Sequence, residues 1–254
     1  MLMEQTLESM RSMRLLGMAE ALEEQMRTPG ARKLSFEDRV GLLVERERIH
    51  RTDRRITRLL QQAKLPMPAS IEDVYFASSR GLDKTLTLRL SDCEWVGSHR
   101  NVLITGPTGT GKTWLASALV EAACRRGYKA RYWRFSRLLE ETRLARADGS
   151  WGKLLEKLAR TDLLAIDDYG MAPLEGVQRM DFLEILEDRY GRRATLITAQ
   201  LPVEHWHEMA GDPTFGDAIL DRLVNNAYSI ALKGPSLRKR YGKIEEETTR
   251  KTND

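Results

Sequence analysis

Residues 106–113 read Gly106-Pro107-Thr108-Gly109-Thr110-Gly111-Lys112-Thr113. A short apolar and β-branched run, Asn101 to Thr105, precedes this stretch and is typical of a buried strand. After it comes an alanine- and leucine-rich run, Trp114 to Cys124, which predicts a helix that ends near Gly127. A strand, a glycine-rich loop, Lys-Thr and a helix in this order are the context that a phosphate-binding P-loop requires.

The residue types in this loop suit the chemistry of a nucleotide site. Glycines adopt positive φ, so that successive backbone N–H groups point at phosphate oxygens, and the helix N-terminus adds partial positive charge. From an exposed position, Lys112 is predicted to reach the β- and γ-phosphates, and Thr113 to offer its hydroxyl to Mg²⁺. The predicted nucleotide contacts are Gly106, Pro107, Thr108, Gly109, Thr110, Gly111, Lys112, Thr113 and Trp114. The alternative is a glycine turn before an ordinary helix, and the flanks favour the P-loop.

The composition is that of a globular chain without a membrane segment. The 254 residues allow one large domain or two modest ones, and an apolar content of 41% suffices for a core. A net charge of +4 leans only mildly towards polyanionic partners. The two cysteines are too few for a disulfide framework or a cysteine-only zinc site. With no secretion signal and no apolar run of membrane-spanning length, the sequence predicts a cytoplasmic protein with no membrane partner.

From Asn101 onward, strand patterns alternate with helix patterns. This alternation predicts an α/β fold of the P-loop NTPase type, a parallel sheet flanked by helices. One buried strand, Asp162 to Asp168, ends in two carboxylates at the sheet edge where ligands of such folds bind. Two acids there form a Walker B site, in which Asp167 holds Mg²⁺ and Asp168 orients or deprotonates the attacking water. The alternative is a strand that simply ends in a polar turn.

A further polar residue is predicted at the same edge. The strand pattern Ala194 to Thr198 is expected to lie between the strands of the two Walker motifs, and Gln200 follows it. In that position the Gln200 amide lies near the γ-phosphate of a bound nucleotide. The alternative is an ordinary loop amide.

The N-terminal part of the chain has the pattern of helices. Residues 1–28 predict one amphipathic helix, which Pro29-Gly30 ends. A second helix is predicted from Ser35, with Asp38 completing a capping pattern, to about Lys64. These features predict an N-terminal helical DNA-binding domain over residues 1–66, a connector over 67–96 and a nucleotide-binding domain over 97–254.

One face of the second helix is rich in arginine. Four arginines spaced by three, four and three residues share this face, and a fifth is nearby; they are Arg48, Arg51, Arg55 and Arg58, with Arg54. Asp53 is the only acid between Arg48 and Arg58. Arginine also suits phosphate binding. The pattern favours DNA binding over a merely solvated helix face, which is the usual role of a charge run.

Several stretches together resemble the IstB family. They are the P-loop with residues 113–119, the strand and turn 163–170, and the stretches 184–190, 198–202, 217–223 and 234–238, with shorter ones at 35–39 and 80–83. The resemblance covers nearly the whole chain, and only the two Walker motifs are generic. IstB proteins are ATP-binding helpers of insertion sequences, related to the DnaC helicase loaders and to AAA+ ATPases.

This resemblance implies a function and partners. It implies an AAA+ ATPase domain, with ATP and Mg²⁺ as cofactors and a small N-terminal all-helical domain. It also implies an ATP-dependent homo-oligomer on double-stranded DNA. Such an assembly assists a partner transposase of the integrase type in target selection and insertion.

The resemblance also assigns catalytic positions besides Lys112 and Asp168. Gln200 falls at the sensor-1 position, Arg222 at the arginine-finger position and Arg238 at the sensor-2 position. Asp168 stands where AAA+ Walker B motifs usually have glutamate, which makes its role as the base less secure, and the short tail after Arg238 implies a reduced C-terminal lid. Arg222 also has a local interpretation, a salt bridge with Asp217 or Asp221.

Three other functions fit part of the sequence. Residues 167–170 match the Asp-x-x-Gly of a GTPase, but none of the four asparagines is followed by the lysine that guanine recognition needs. A small-molecule kinase explains neither the arginine-rich helix nor Arg222. A DnaC-type helicase loader acting in replication shares the whole ATPase core and differs only in its partner, so it stays the main alternative.

Overall fold

The computed structural model describes residues 2–237, without the side chains of Leu2, Arg32 and Ser78. The chain divides into two compact units, Met1–Arg58 and a second unit that begins at Leu59. No helix among the described residues is both long enough and apolar enough to cross a membrane. The domain limits drawn from the sequence stay a prediction.

Three α-helices form the described part of the first unit. They are α1 (Leu2–Ser12), α2 (Leu16–Arg27) and the portion of α3 (Phe36–Ala63) up to Arg58. The prediction of a single helix over residues 1–28 is wrong, because α1 ends at Ser12 and Arg14 takes a left-handed φ of 61° before α2 begins. The break allows both helices to contribute to one small apolar core with α3, made of Leu7, Ala19, Ala21, Leu22 and Leu43.

The start of α3 follows the predicted capping pattern. The Ser35 hydroxyl accepts the backbone N–H of Asp38 at 3.0 Å and donates to the Asp38 carboxylate at 2.7 Å. Further along, the buried carboxylate of Glu47 accepts the backbone N–H of Met18 at 3.2 Å, which ties α3 to the start of α2. The helix is continuous to Ala63, so the arginine-rich face lies on one rigid element.

The second unit is built around a parallel sheet. Its strands among the described residues are β1 (Asn101–Thr105), β2 (Ala130–Arg134), β3 (Leu163–Tyr169), β4 (Ala194–Ala199) and β5 (Ala227–Ala231). They lie in the order β2-β3-β4-β1-β5, and every recorded pairing is parallel. This arrangement confirms the predicted α/β fold and places β4 between the two Walker strands, as predicted.

Helices cover both faces of this sheet. They are α4 (Lys84–Ser91), α5 (Glu94–Gly97), α6 (Lys112–Arg125), α7 (Phe135–Ala147), α8 (Trp151–Ala159), α9 (Val177–Arg189), α10 (Trp206–Met209) and α11 (Pro213–Val224). Because strand side chains alternate, Val102 and Ile104 pack with α6 in one core, and Leu103 packs with α7, α8 and α9 in the other. The sheet is therefore a rigid central layer, and the loops after its strands form the functional edge.

Candidate functional site

The P-loop joins the carboxyl end of β1 to the N-terminus of α6. Gly106 and Gly109 have φ angles of 142° and 86°, which side chains rarely permit. A Cβ atom at Gly106 would also overlap the Leu232 carbonyl, and one at Gly109 would overlap the Ser236 side chain. Since α6 begins at Lys112, its first N–H groups have no partner within the helix and are available to an anion. This loop geometry fits a nucleotide phosphate.

Lys112 is buried, so the prediction that it is exposed is wrong. Its side chain is folded into the P-loop, where Nζ donates to the carbonyl of Gly106 at 2.7 Å and to that of Pro107 at 3.0 Å. An ammonium group has three donors, and phosphate oxygens compete with these carbonyls for them. The loop therefore holds the cation at the place where a phosphate is expected.

Asp167 lies at the centre of a buried network of hydroxyl groups. Its carboxylate accepts hydrogen bonds from Thr113 Oγ1 at 3.0 Å, from the Tyr132 hydroxyl at 2.7 Å and from Thr198. Burial and the bond to Asp167 raise the pKa of Tyr132, so the phenol stays protonated and donates. The structure thus brings together Thr113 and Asp167, the two predicted metal ligands. A hydroxyl and a carboxylate are the hard oxygen donors that Mg²⁺ prefers, so these residues fit the ion.

Asp168 has different surroundings from Asp167. It takes a left-handed φ of 60° where the register between β3 and β4 shifts, and its N–H donates to Thr198 Oγ1 at 3.1 Å. Its carboxylate lies 3.8 Å from Arg134 Nε, beside a cavity of about 570 Å³. The local backbone therefore directs adjacent carboxylates to different surroundings, Asp167 into the protein and Asp168 towards the cavity.

Gln200 lies against the P-loop. Its amide oxygen accepts a hydrogen bond from the Thr108 hydroxyl at 2.9 Å, and its amide nitrogen lies 3.0 Å from Met171 Sδ. The predicted position beside the phosphate loop agrees with this contact, and the sensor role itself stays a prediction.

Trp114 is half-buried on α6. It packs against the core and lines a cavity of about 1010 Å³ together with residues that follow α3, including Leu65 and Pro66. Its assignment as a nucleotide contact stays a prediction.

Two segments far from the P-loop in sequence brace it. Buried Arg80 donates from Nη2 to the Thr110 carbonyl at 2.9 Å and from Nη1 to the Tyr75 carbonyl. On another side, the backbone N–H of Leu237 donates to the Gly109 carbonyl at 2.9 Å. Sequence reasoning missed Arg80, Tyr132, Arg134 and Thr198 as site residues. The only signals were that Arg80 belongs to a family-like stretch and that the other three lie on predicted strands.

Arg222 lies at the opposite end of the sheet from the P-loop. The side-chain amide of Asn101, the first residue of β1, donates to the carbonyls of Arg222 at 3.0 Å and Leu223 at 3.1 Å. The Arg222 guanidinium is partly exposed and pairs with Asp221 at 3.1 Å and Glu187 at 3.3 Å. The local salt bridge proposed with Asp221 is therefore present, whereas Asp217 lies 3.6 Å from His207. Arg238 and the predicted lid lie outside the described residues.

The five predicted DNA-binding arginines are all exposed on α3. Two of them have acid partners upstream: Arg48 Nε donates to Glu45 at 2.8 Å, and Arg51 Nε donates to Glu47 at 2.7 Å. The net positive charge of this face is therefore smaller than residues 48–58 alone indicate. All five arginine side chains nevertheless lie on the exposed surface of this helix.

Comparisons with known proteins agree with this geometry. The model of the family described as IstB-like ATP binding protein matches residues 8–244. An insertion sequence ATP-binding protein of Sinorhizobium fredii (strain NBRC 101917 / NGR234) is 48% identical over 239 residues, covering 94% of this chain and 98% of that protein. The IS1162 ATP-binding protein of Pseudomonas fluorescens is 48% identical over 203 residues, covering 80% and 88%.

Solved structures share the fold of the second unit. The crystal structure of the DnaC helicase loader superposes with a TM-score of 0.55 at 20% identity, and the match covers 65% of this chain and 97% of that chain. At this identity the likeness shows the fold alone. The shared fold is the parallel sheet with flanking helices described above.

Proposed function

The chain belongs to the IstB-like ATP-binding protein family, and on that premise we propose that it is an ATPase that assembles on duplex DNA and assists a partner transposase of the integrase type. The observation that carries the proposal is the joined Walker site, in which Thr113 and the buried Asp167 are hydrogen-bonded beside the P-loop. The matched relatives are named as insertion sequence proteins, which favours transposition over the alternative of a DnaC-type helicase loader.

Each site residue of the second unit has its own role in ATP hydrolysis. Lys112 and the N–H groups of the P-loop bind the phosphates, and Thr113 and Asp167 hold Mg²⁺. When bound, that ion neutralises charge on the β- and γ-phosphate oxygens. Asp168 orients the attacking water and accepts its proton, while Gln200 contacts the γ-phosphate from the neighbouring strand. Arg80 is a positioning residue, because it holds the Thr110 carbonyl and with it the shape of the loop.

Nucleotide binding is tested with Lys112→Ala. Loss of a charge-assisted contact costs about 1.5–3 kcal/mol, so ATP affinity should fall by about 10- to 160-fold. Because Lys112 also bonds two loop carbonyls, the variant is checked by thermal unfolding before binding is measured with a fluorescent ATP analogue. Lys84→Ala, an exposed lysine in the same unit, is the matched control. A folded Lys112→Ala protein with undiminished ATP affinity would contradict the P-loop assignment.

DNA binding is tested on the arginine-rich face of α3. Replacing Arg48, Arg51, Arg55 and Arg58 by Gln should weaken binding to duplexes of any sequence. It should also lower the slope of log affinity against log salt concentration by about 0.9 per lost phosphate contact, about 3.6 in all. Fluorescence anisotropy at several salt concentrations measures this slope. A matched variant changes four other exposed cations of the same unit, Arg11, Arg27, Lys33 and Arg46. Equal slopes for the two variants would mean that the arginine-rich face is an ordinary solvated surface and does not contact DNA.

Assembly is tested directly by electron microscopy. The purified chain is imaged with a duplex in the presence of ATP, in the presence of ADP and without nucleotide. The proposal predicts ordered oligomers on DNA only with ATP, and co-purification of the partner transposase with those oligomers. Assemblies that engage a replicative helicase instead would support the alternative function.

A further inference from the structure

A second cationic surface lies on the nucleotide-binding unit itself. Five basic side chains line a groove of about 490 Å³ that we call the edge groove; they are Lys129, Arg131, Lys153, Lys157 and Arg160. The groove lies beside β2, the outermost strand on one side of the sheet, and beside the last turn of α8. None of these residues belongs to the sites described above.

The edge groove is separate from the nucleotide site. Lys129 and Ala130 lie at the start of β2, and Thr161 precedes β3. Because all strands of the sheet are parallel, this is the amino end, whereas the P-loop follows the carboxyl end of β1. A ligand in the edge groove therefore does not share the phosphates of a nucleotide bound at the P-loop.

Positive charge in the groove is poorly neutralised. Among the described residues, Glu156 is the only acid that lines the groove, and it pairs with Arg160 at 2.6 Å. Within residues 2–237, no ion pair within 4.0 Å is recorded for Lys129, Lys153 or Lys157, and all three are exposed. Three ammonium groups thus face solvent on one surface without a carboxylate within 4.0 Å, and their combined charge attracts anions.

Arg131 is a further positive charge of the groove, and its side chain is partly buried. Its guanidinium stacks over the Trp133 ring at 5.4 Å, and its Nε is buried without a hydrogen-bond partner among the described residues. Partial burial, together with the nearby charges of Arg131 and Lys64, lowers the pKa of Lys157, against the opposing effect of Glu141. The like charges are therefore close enough to repel one another, and a phosphate would relieve that repulsion.

From this arrangement we propose that the edge groove binds the phosphate backbone of duplex DNA, an inference that rests on the DNA-binding part of the proposed function. Duplex is preferred to single-stranded DNA because the residues lining the groove include no aromatic ring on which a base could stack. Lysines act as point charges without base recognition, which suits sequence-independent contact with phosphates. The groove is thus a second DNA contact, distinct in sequence and in unit from the arginines of α3.

The test is the triple variant Lys129→Gln, Lys153→Gln and Lys157→Gln. All three side chains are exposed, so folding and ATP binding should be unchanged, which thermal unfolding and a fluorescent ATP analogue check. Binding to a random-sequence duplex, measured by anisotropy across salt concentrations, should lose about 0.9 from the log–log slope per contact, or about 2.7 in all. A control variant removes the same charge elsewhere in the unit through Lys84→Gln, Arg126→Gln and Arg192→Gln, and its slope should stay that of the original protein.

The outcomes separate this inference from the proposed function. If the original protein binds duplex but the triple variant and its control have equal slopes, the edge groove is not a DNA contact and the proposed function stands. If the original protein binds no duplex under any condition that permits ATP binding, both fail. A loss confined to single-stranded DNA of the same length would overturn the assignment to duplex.

Discussion

Replacing Asp168 by Asn is expected to leave ATP binding intact and to lower ATP hydrolysis by about 10²- to 10⁴-fold, the usual contribution of a general base. An amide has nearly the same shape as the carboxylate but cannot accept the proton of the attacking water. Asn also tolerates the left-handed backbone, so the φ of 60° at this position is retained. The variant should therefore accumulate in the ATP-bound state and stay assembled on DNA.

Two measurements test this expectation. The dissociation constant for a fluorescent ATP analogue should change little, while steady-state phosphate release should fall by the stated factor. Arg134→Gln is the informative control, since it removes the guanidinium 3.8 Å from Asp168 without touching the carboxylate. If Asp168→Asn hydrolyses ATP at the original rate, the base is another residue.

The parts of the fold that could be predicted depend on local patterns. The glycine spacing of residues 106–111 and the alternation of strands and helices are written in short stretches of sequence. The parallel sheet then predicted β4 between β1 and β3, with Gln200 near the γ-phosphate. In the structure β4 has that place, and Gln200 accepts a hydrogen bond from Thr108 of the P-loop. Site residues that directly follow the strands could therefore be predicted from the sequence.

The break between α1 and α2 could not be predicted from local sequence patterns. Apolar residues keep helical spacing through Leu15 and Met18, and the residue with positive φ is Arg14 rather than a glycine. The break accompanies the packing of both helices onto one small core, which is a tertiary contact. Propensity and periodicity cannot report it.

The residues that hold Asp167 and the P-loop in place could not be predicted either, for a physical reason. Thr198 and Tyr132 reach Asp167 from two different strands, and Arg80 reaches the Thr110 carbonyl from a segment before the sheet. These contacts join residues about thirty positions apart, and no residue-type pattern marks them. The burial of Lys112 is of the same kind, since it depends on loop carbonyls that turn inward only in the folded loop.

The position of Arg222 bears on how neighbouring subunits are expected to cooperate. Asn101 fixes the last turn of α11 to the amino end of β1, and the P-loop begins after the carboxyl end of that strand. Five strand residues at about 3.3 Å each separate the two by about 16 Å, which is more than the side chain spans. Arg222 therefore has no route to its own nucleotide, and a catalytic role requires the nucleotide of an adjacent subunit.

Mixing two inactive variants tests whether Arg222 is an arginine finger for the neighbouring subunit. Arg222→Ala and Lys112→Ala should each be nearly inactive, because a finger contributes about 10³ to 10⁵ in rate and the P-loop lysine binds the phosphates. Mixed on DNA, they should recover part of the activity, since some interfaces then pair an intact P-loop with an intact finger. Glu187→Gln is the control for a structural role, as it removes one of the two local ion pairs of Arg222 and keeps the guanidinium. If that control is as inactive as Arg222→Ala, or if the mixture stays inactive while co-assembly is demonstrated, Arg222 acts only within its own subunit.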